Sequence, residues 1–287
     1  MDNFHRTYTL KAGKMGETGF EIGNVDGVQA DCLHISFSIE KSSSKSPNDA
    51  KIQIWNLSPE NVDILDTKDC IIELMAGYDS VNAVAIVGAV SSAETTNDNA
   101  DRMTELSVVD GMVALRDTII SVSINGVVDS KMVYQMIADK MGLPLILAEE
   151  LTFCIIPNGF SFIGKGKDAL QKIADANGHS WTIQNQIIHV TLPGRPIASQ
   201  GFLLNSDSGL ISIPKKISIN VGTGTEKAVT GWEVEYLLNA AIGINDIVKV
   251  ESKKVNGYFL VHKVTIDGDN LEGDWKCTAQ LLEIKTG

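Results

Sequence analysis

The segments best equipped for chemistry are two short runs rich in glycine and carboxylate. Gly159 to Gly166 reads GFSFIGKG and falls one residue short of the phosphate-binding pattern GxxxxGK[ST]. The mismatch is chemical: Gly166 stands where a hydroxyl must reach a magnesium ion. Phe160 and Phe162 fill a loop that should wrap phosphate in bare backbone. These glycines are read instead as the turn into a helix. Asp267-Gly268-Asp269-Asn270-Leu271-Glu272 offers oxygen ligands at calcium-loop spacing. An EF-hand, however, needs Asp or Asn fifth and Gly sixth, where Leu271 and Glu272 stand. A hairpin loop is the simpler reading. Asn97, Asn99 and Asp101 fail in the same way, at Arg102.

The remaining reactive side chains carry no signature either. The five histidines lack any HExxH or comparable ligand spacing, and His189 and His262 sit inside strand patterns as face residues. Cys32, Cys70, Cys154 and Cys277 show no CxxC pair, which predicts four reduced, mostly buried thiols. No serine lies in a GxSxG elbow, and no carboxylate pair is marked out as acid and base. Asn56-Leu57-Ser58 fits a glycosylation sequon but reads as a strand end running into a helix cap. The expectation is a chain with no catalytic residue, no metal and no cofactor.

The elements that would position these groups are mostly strands. Leu33, Ile35, Phe37 and Ile39 alternate with polar residues, as do Trp275, Cys277, Ala279 and Leu281. Lys41 to Ala50 is polar, holds Pro47, and reads as a long exposed loop. Ser58-Pro59-Glu60 starts a short helix to about Asp66. Strands are expected over 70–78, 83–93 and 103–109. In the middle, Asp129 or Ser130 caps a helix stopped by Gly142, and a second helix follows Gly166 and stops at Gly178. A hairpin around Asn185-Gln186 joins Trp181–Gln184 to Ile187–Leu192. Strands return over 226–238, 246–254 and 258–266, the last two flanking an Asn256-Gly257 hairpin signal. The four tryptophans, Trp55, Trp181, Trp232 and Trp275, mostly fall on core-facing strand positions.

At 287 residues the chain suits two domains or three small ones. Pro193-Gly194-Arg195-Pro196 reads as a boundary. The division expected is 1–112, 113–200 and 201–287, a small α+β unit between two β-rich parts. The formal net charge of −12 argues against a protein that grips nucleic acid. The surplus is local: residues 1–112 carry 18 acidic and 8 basic side chains, whereas 113–200 balance at 7 and 7. The N-terminus has no apolar core of a signal peptide, and no stretch approaches the roughly 18 consecutive apolar residues of a membrane span. A faint repeat links the ends. IIELMAGY, AVAIVGAV and MTELSVVDG in the first part match DIVKVESKKVNG, YFLVHKVTIDGD and DWKCTAQLLE in the last as strand–hairpin–strand series.

Four pieces in order resemble the bacteriophage tail baseplate hub proteins, which join tail tube to central spike. Ile52 to Ser58 looks like the family's strand ending in Asn56-Leu57-Ser58. Ala76-Gly77-Tyr78 followed by Ile86-Val87-Gly88 is similar to its "AGY … G" hairpin. Gly164 to Ala174 and Gly178 to Val190, with Trp181, are similar to its middle unit. Gly257-Tyr258 to Val261 with Gly268-Asp269 looks like its closing hairpin. Phe202–Ile213 and Leu237–Ile244 match loosely, with Asn245-Asp246 where the family has Gly-Asp. The resemblance implies a mainly β fold, with two tail-tube-like β-barrel domains flanking an α/β domain. It also implies a structural homotrimer adapting the sixfold tube to the threefold spike. Its partners would be itself, a tail tube or distal tail protein, the spike protein and a tape-measure protein. DNA would pass through its channel without specific binding, repelled by acidic walls. The place implied is the virion tail baseplate, assembled in the host cytoplasm. The competing readings are a β-rich receptor- or carbohydrate-binding tail module and, more remotely, a cell-wall hydrolase.

Overall fold

The computed structural model describes residues 5–24, 32–43, 47–79, 81–111, 118–197, 201–221 and 227–284. The expected boundaries at 112/113 and 200/201, Ser44–Ser46 of the expected loop, and Glu226 of the expected strand lie outside them. Alternation of apolar and polar residues produces the strands of the first part: β1 (Arg6–Gly13), β2 (Phe20–Gly23), β3 (Ile35–Ser42), β4 (Asp49–Trp55), β5 (Ile71–Tyr78), β6 (Val81–Asp98) and β7 (Asp101–Val109). Helix α1 (Pro59–Leu65) follows β4. Ser58 caps it by accepting from the Asn61 backbone N–H at 3.3 Å, with Pro59 at the first helical position.

The middle part holds β8 (Ile119–Ile124), β9 (Val128–Asp129), α2 (Ser130–Met141), β10 (Leu145–Leu147), β11 (Ile155–Ile156), β12 (Phe160–Lys165), α3 (Gly166–Asn177), β13 (Ser180–Gln184) and β14 (Ile187–Thr191). Asp129 caps α2, and Gly142 and Gly178 close the two helices with φ of 68° and 69°. The helices bury Val133, Tyr134, Ile137, Leu170 and Ile173 against Ile188 and Val190. The phosphate-loop look-alike leads into a helix as read, but as a strand rather than a turn. Phe160–Lys165 is an extended strand paired with β8, running straight into α3, and Gly166 packs against Met141. An extended chain cannot fold around a phosphate.

The last part supplies β15 (Gly201–Leu204), β16 (Lys215–Val221), β17 (Lys227–Leu237), β18 (Ile247–Glu251), β19 (Asn256–Asp269) and β20 (Trp275–Glu283). Its pairing order, β16-β17-β20-β19-β18-β15, repeats that of β3-β4-β7-β6-β5-β1 position by position. Only the outermost pair differs, β1 running antiparallel to β5 and β15 parallel to β18. The correspondence extends to irregularities. β6 shifts register against β7 around Ser91, and β19 shifts against β20 around His262. The faint sequence repeat is therefore a repeat of strand pairing.

The chain is mainly β with a small α+β insert, as the residues predict. The two β series do not form two closed barrels, because β19 pairs with β3 and merges both into one thirteen-stranded sheet. One hydrophobic core runs through both, from Tyr8 and Ile52 to Val264 and Leu281. Other corrections are local. Residues 6–13 and 215–221 are strands that the sequence reading did not mark, although Tyr8, Leu10 and Ala12, and Ile217 and Ile219, alternate with polar residues. The hairpin between β18 and β19 turns at Ser252–Val255, one step before the Asn-Gly pair, because the Ser252 hydroxyl accepts from the Val255 N–H at 3.1 Å. Asn256 and Gly257 start the strand instead.

At the β19–β3 joint, Gly268 lies opposite Phe37, and a Cβ on it would sit 2.2 Å from the Phe37 ring. Gly268→Ala should lower stability by about 1–3 kcal/mol through overpacking. In urea titrations its effect should be non-additive with Phe37→Leu, which opens the space. Simple additivity would mean that the ring is not what excludes a side chain.

Candidate assembly interface

Three of the residues singled out in the sequence meet where the first and last parts join. Gly77 and Tyr78 end β5, and Trp275 starts β20. The Trp275 indole Nε1 donates to Gly77 O at 3.0 Å, and the Tyr78 hydroxyl donates to Trp275 O at 3.2 Å. Asp269, at the end of β19, accepts from the Leu271 and Glu272 backbone N–H groups at 2.9 and 3.0 Å and faces His34 Nε2 at 3.1 Å. Burial would raise its pKa, but those three contacts outweigh burial and hold the carboxyl below its ordinary value. Its oxygens are thus spent on a turn and on His34, which stacks on Trp55 at 3.9 Å. Arg6 donates to the carbonyls of Asp269 and Gly273 at 2.6 and 3.0 Å and lies over Trp275.

The other motif residues are placed elsewhere. Asn56 takes φ 59° at the end of β4 and clasps β7, donating to Asp101 and accepting from the Arg102 N–H. Leu57 and Ala76 are buried in the main core. Gly88 lets β6 approach Val108 and Val109 closely. Trp181 is buried, donating to Gln171 on α3, and Gly164 lies one residue before the end of β12, beside Phe162. Gly257 and Tyr258 stand at the open start of β19, where Tyr258 is exposed beneath Lys249. Asn245 adopts φ 64°, a left-handed conformation that asparagine tolerates.

A second node holds the middle unit to the sheet, and the sequence reading missed it. The Asn185-Gln186 turn, with φ of 51° and 64°, is the expected hairpin tip. It is seated on Asp110, which accepts from the Asn185 and Gln186 N–H groups at 2.6 and 2.9 Å and from Asn48 Nδ2 at 3.3 Å. Lys41 donates to Asn185 Oδ1 at 3.1 Å. Lys41, Asn48 and Asp110 are all buried, so the ends of the expected exposed loop are interior. Burial pushes the Lys41 ammonium down to about 8, against the pull of Asp110, Cys277 and Asp246. It pushes Asp110 and Asp246 up, against the N–H groups that bond them and the Lys41 charge.

Neither histidine within the strands is an ordinary face residue. His262 is the bulge of β19, with Nδ1 2.7 Å from the Ser43 hydroxyl. His189 lies close to Lys41 with both ring nitrogens buried and, among the described residues, without a hydrogen bond, and burial pushes it down to about 4. Cys70 and Cys277 are buried thiols, whereas Cys32 is exposed and Cys154 half-buried. Among the described residues no helix is long and apolar enough to cross a membrane.

Two outcomes follow from this node. Asp110→Ala should cost about 3–5 kcal/mol in urea unfolding, because it strands the buried Lys41 charge and two turn N–H groups. His189 titrates near 6.5 when unfolded and about 4 when folded, so the unfolded chain takes the proton first. Stability from this group is complete above pH 6.5 and is lost as pH falls towards 4, by up to ~3 kcal/mol. Melting curves of His189→Gln should lack that part of the acid limb; an unchanged limb would remove the histidine from the account.

Neither a family model nor a curated protein sequence matches the chain. Solved structures do. The 43 kDa tail protein of prophage MuSo2 from Shewanella oneidensis superposes with a TM-score of 0.63 at 10% identity, covering 96% of this chain and 98% of that one. A tail protein from Neisseria meningitidis MC58 gives 0.61 at 10% identity, over 98% and 97%. A type VI secretion component of E. coli, described as similar in structure to the T4 bacteriophage tail proteins gp27 and gp5, gives 0.54 at 10% identity, over 87% and 73%. Over almost its whole length, the chain has the fold of these tail proteins.

Proposed function

We propose that this chain is the structural hub of a phage tail baseplate, or of a related tail-like particle, and not an enzyme. Three copies form a ring that presents six similar β units, so that it continues a sixfold tube on one side and holds a threefold spike on the other. The observation that carries this reading is the repeated pairing order, down to bulges at matching places in β6 and β19. Two equivalent units in one chain are what a threefold object needs to imitate sixfold symmetry. The division at 1–112, 113–200 and 201–287 belongs to the same proposal, with the two outer units equivalent in strand order and joined in one sheet, and Asn56, Gly77, Tyr78, Gly268 and Asp269 as structural motif residues.

The partners under this reading are further copies of the chain, a tail tube or distal tail protein, the spike and a tape-measure protein. The particle is assembled in the host cytoplasm. Three copies would carry three times −12, or −36 formal charges. With the acidic surplus of residues 1–112 turned to the bore, phosphate is repelled and DNA passes without the counterion release that would hold it.

Light scattering of the full-length protein, combined with particle imaging, tests the reading. A threefold ring of three copies around a bore wide enough for duplex DNA is expected. A lone compact copy that binds glycans would instead favour a receptor-binding tail module. Basic substitution at exposed acidic positions of the first part, such as Glu21→Lys, should slow DNA release from assembled particles while leaving particle yield unchanged.

A further inference from the structure

The two repeats are treated differently at one place, and the difference identifies an interface. In the second repeat, β19 changes neighbour at its bulge: Asn256–Leu260 pair with β18, and Lys263–Asp269 pair with β3. In the first repeat, β6 pairs with β5 only up to Ala89. Beyond its bulge, Ser92–Asp98 have β7 on one side and, among the described residues, no strand on the other. Apart from Ala93, the side chains of this stretch are exposed. The counterpart of β3 in the second repeat is β16, which lies at the end of the sheet with no strand on its outer edge among the described residues. Among the described residues, one strand seat is therefore vacant and one strand is without a seat. Open edges of this kind are costly to leave exposed and invite pairing.

We propose that β16 of one copy pairs antiparallel with Ser92–Asp98 of the next, repeating between copies the joint that β3 and β19 make within one. This rests on the ring reading above and specifies its contact. Superposing the repeats through their β7 and β20 pairings sets the register. Lys263 corresponds to Ser92 and Thr265 to Glu94; Ser42 corresponds to Ile219 and Glu40 to Ile217. Ser92 then faces Ile219, Glu94 faces Ile217, and Thr96 faces Lys215.

Charge agrees with that register. Glu94 lies directly across from Glu105 in the same copy, a like-charge pair that costs stability until a cation joins it. Lys51 and Gln53 serve Glu105, at 3.7 and 2.9 Å. Glu94 has no ion pair among the described residues. Lys215 of the next copy would stand diagonally between Glu94 and Asp98, within reach of both. The face towards the core is polar here, Thr95 against Lys216, where the joint within the chain sets Ile266 against Ile39. The contact between copies is thus a backbone ladder with charge pairs, weaker and more salt-sensitive than the joint inside the chain. Head-to-tail pairing closes once the rotation completes a circle, leaving no free edge of either kind.

The test uses the full-length chain with Cys32→Ser, removing the exposed native thiol, together with Glu94→Cys and Ile217→Cys. Mild oxidation should give covalent two- and three-chain products on a non-reducing gel. Glu94→Cys with Lys216→Cys, whose side chains would fall on opposite faces, should stay single. Light scattering separates the failures. Three-copy particles without cross-links would overturn this joint and leave the ring standing; single copies at every concentration would overturn both. Independently, Lys215→Glu should weaken association by about two- to fivefold per joint, and Glu94→Lys in the same chain should restore it. Equal weakening in the double variant would also count against the register.

Discussion

Backbone groups at a strand edge must be paired, covered or left in water, and this constraint shapes the molecule. β19 meets it by changing partners in mid-strand. Its bulge at His262 re-aims the strand, so that one half closes the last repeat and the other half receives β3 across more than two hundred residues of sequence. Gly268 is the enabling residue, because Phe37 occupies the space of its missing side chain. Trp275, Tyr78 and Arg6 then fasten the seam with hydrogen bonds to main-chain carbonyls. Two β units that could have been independent are thereby held in one fixed relation.

The middle unit is attached by different physics. Its hairpin tip offers two N–H groups to a buried carboxylate, and a buried ammonium lies beside them. Such a node contributes little net stability, since desolvation consumes much of the attraction. What it supplies is position, because any displacement leaves Asp110 or Lys41 buried without its partner. An apolar seam within the sheet and a polar node at its border divide the work between cohesion and orientation.

Much of the local structure was legible in residue order. Asp129, Gly142 and Gly178 delimit their helices because caps are decided within a turn or two. Asn185-Gln186 marks its hairpin because both residues accept positive φ. The site was less legible. Lys41 and Asn48 look like solvent-facing loop residues, and only their proximity to Asp110 and Asn185 makes them interior. β1 and β16 escaped notice because each carries only two or three apolar residues at period two, a signal that stays weak until a neighbouring strand is present. Asp269 resembled a cation ligand by spacing, whereas its oxygens are claimed by a turn and a histidine.

Taken alone, the order of residues determined which stretches would be extended, which faces would be apolar, where the helices stop and that the two ends echo one another. Those properties depend on contacts within a few residues, or on a period of two that one strand carries by itself. Tertiary structure alone decided which edges meet, that the echoing ends share one sheet, and which polar side chains are buried. An alternating strand specifies the face it buries and leaves open the strand beside it, because backbone hydrogen bonding is identical for every sequence.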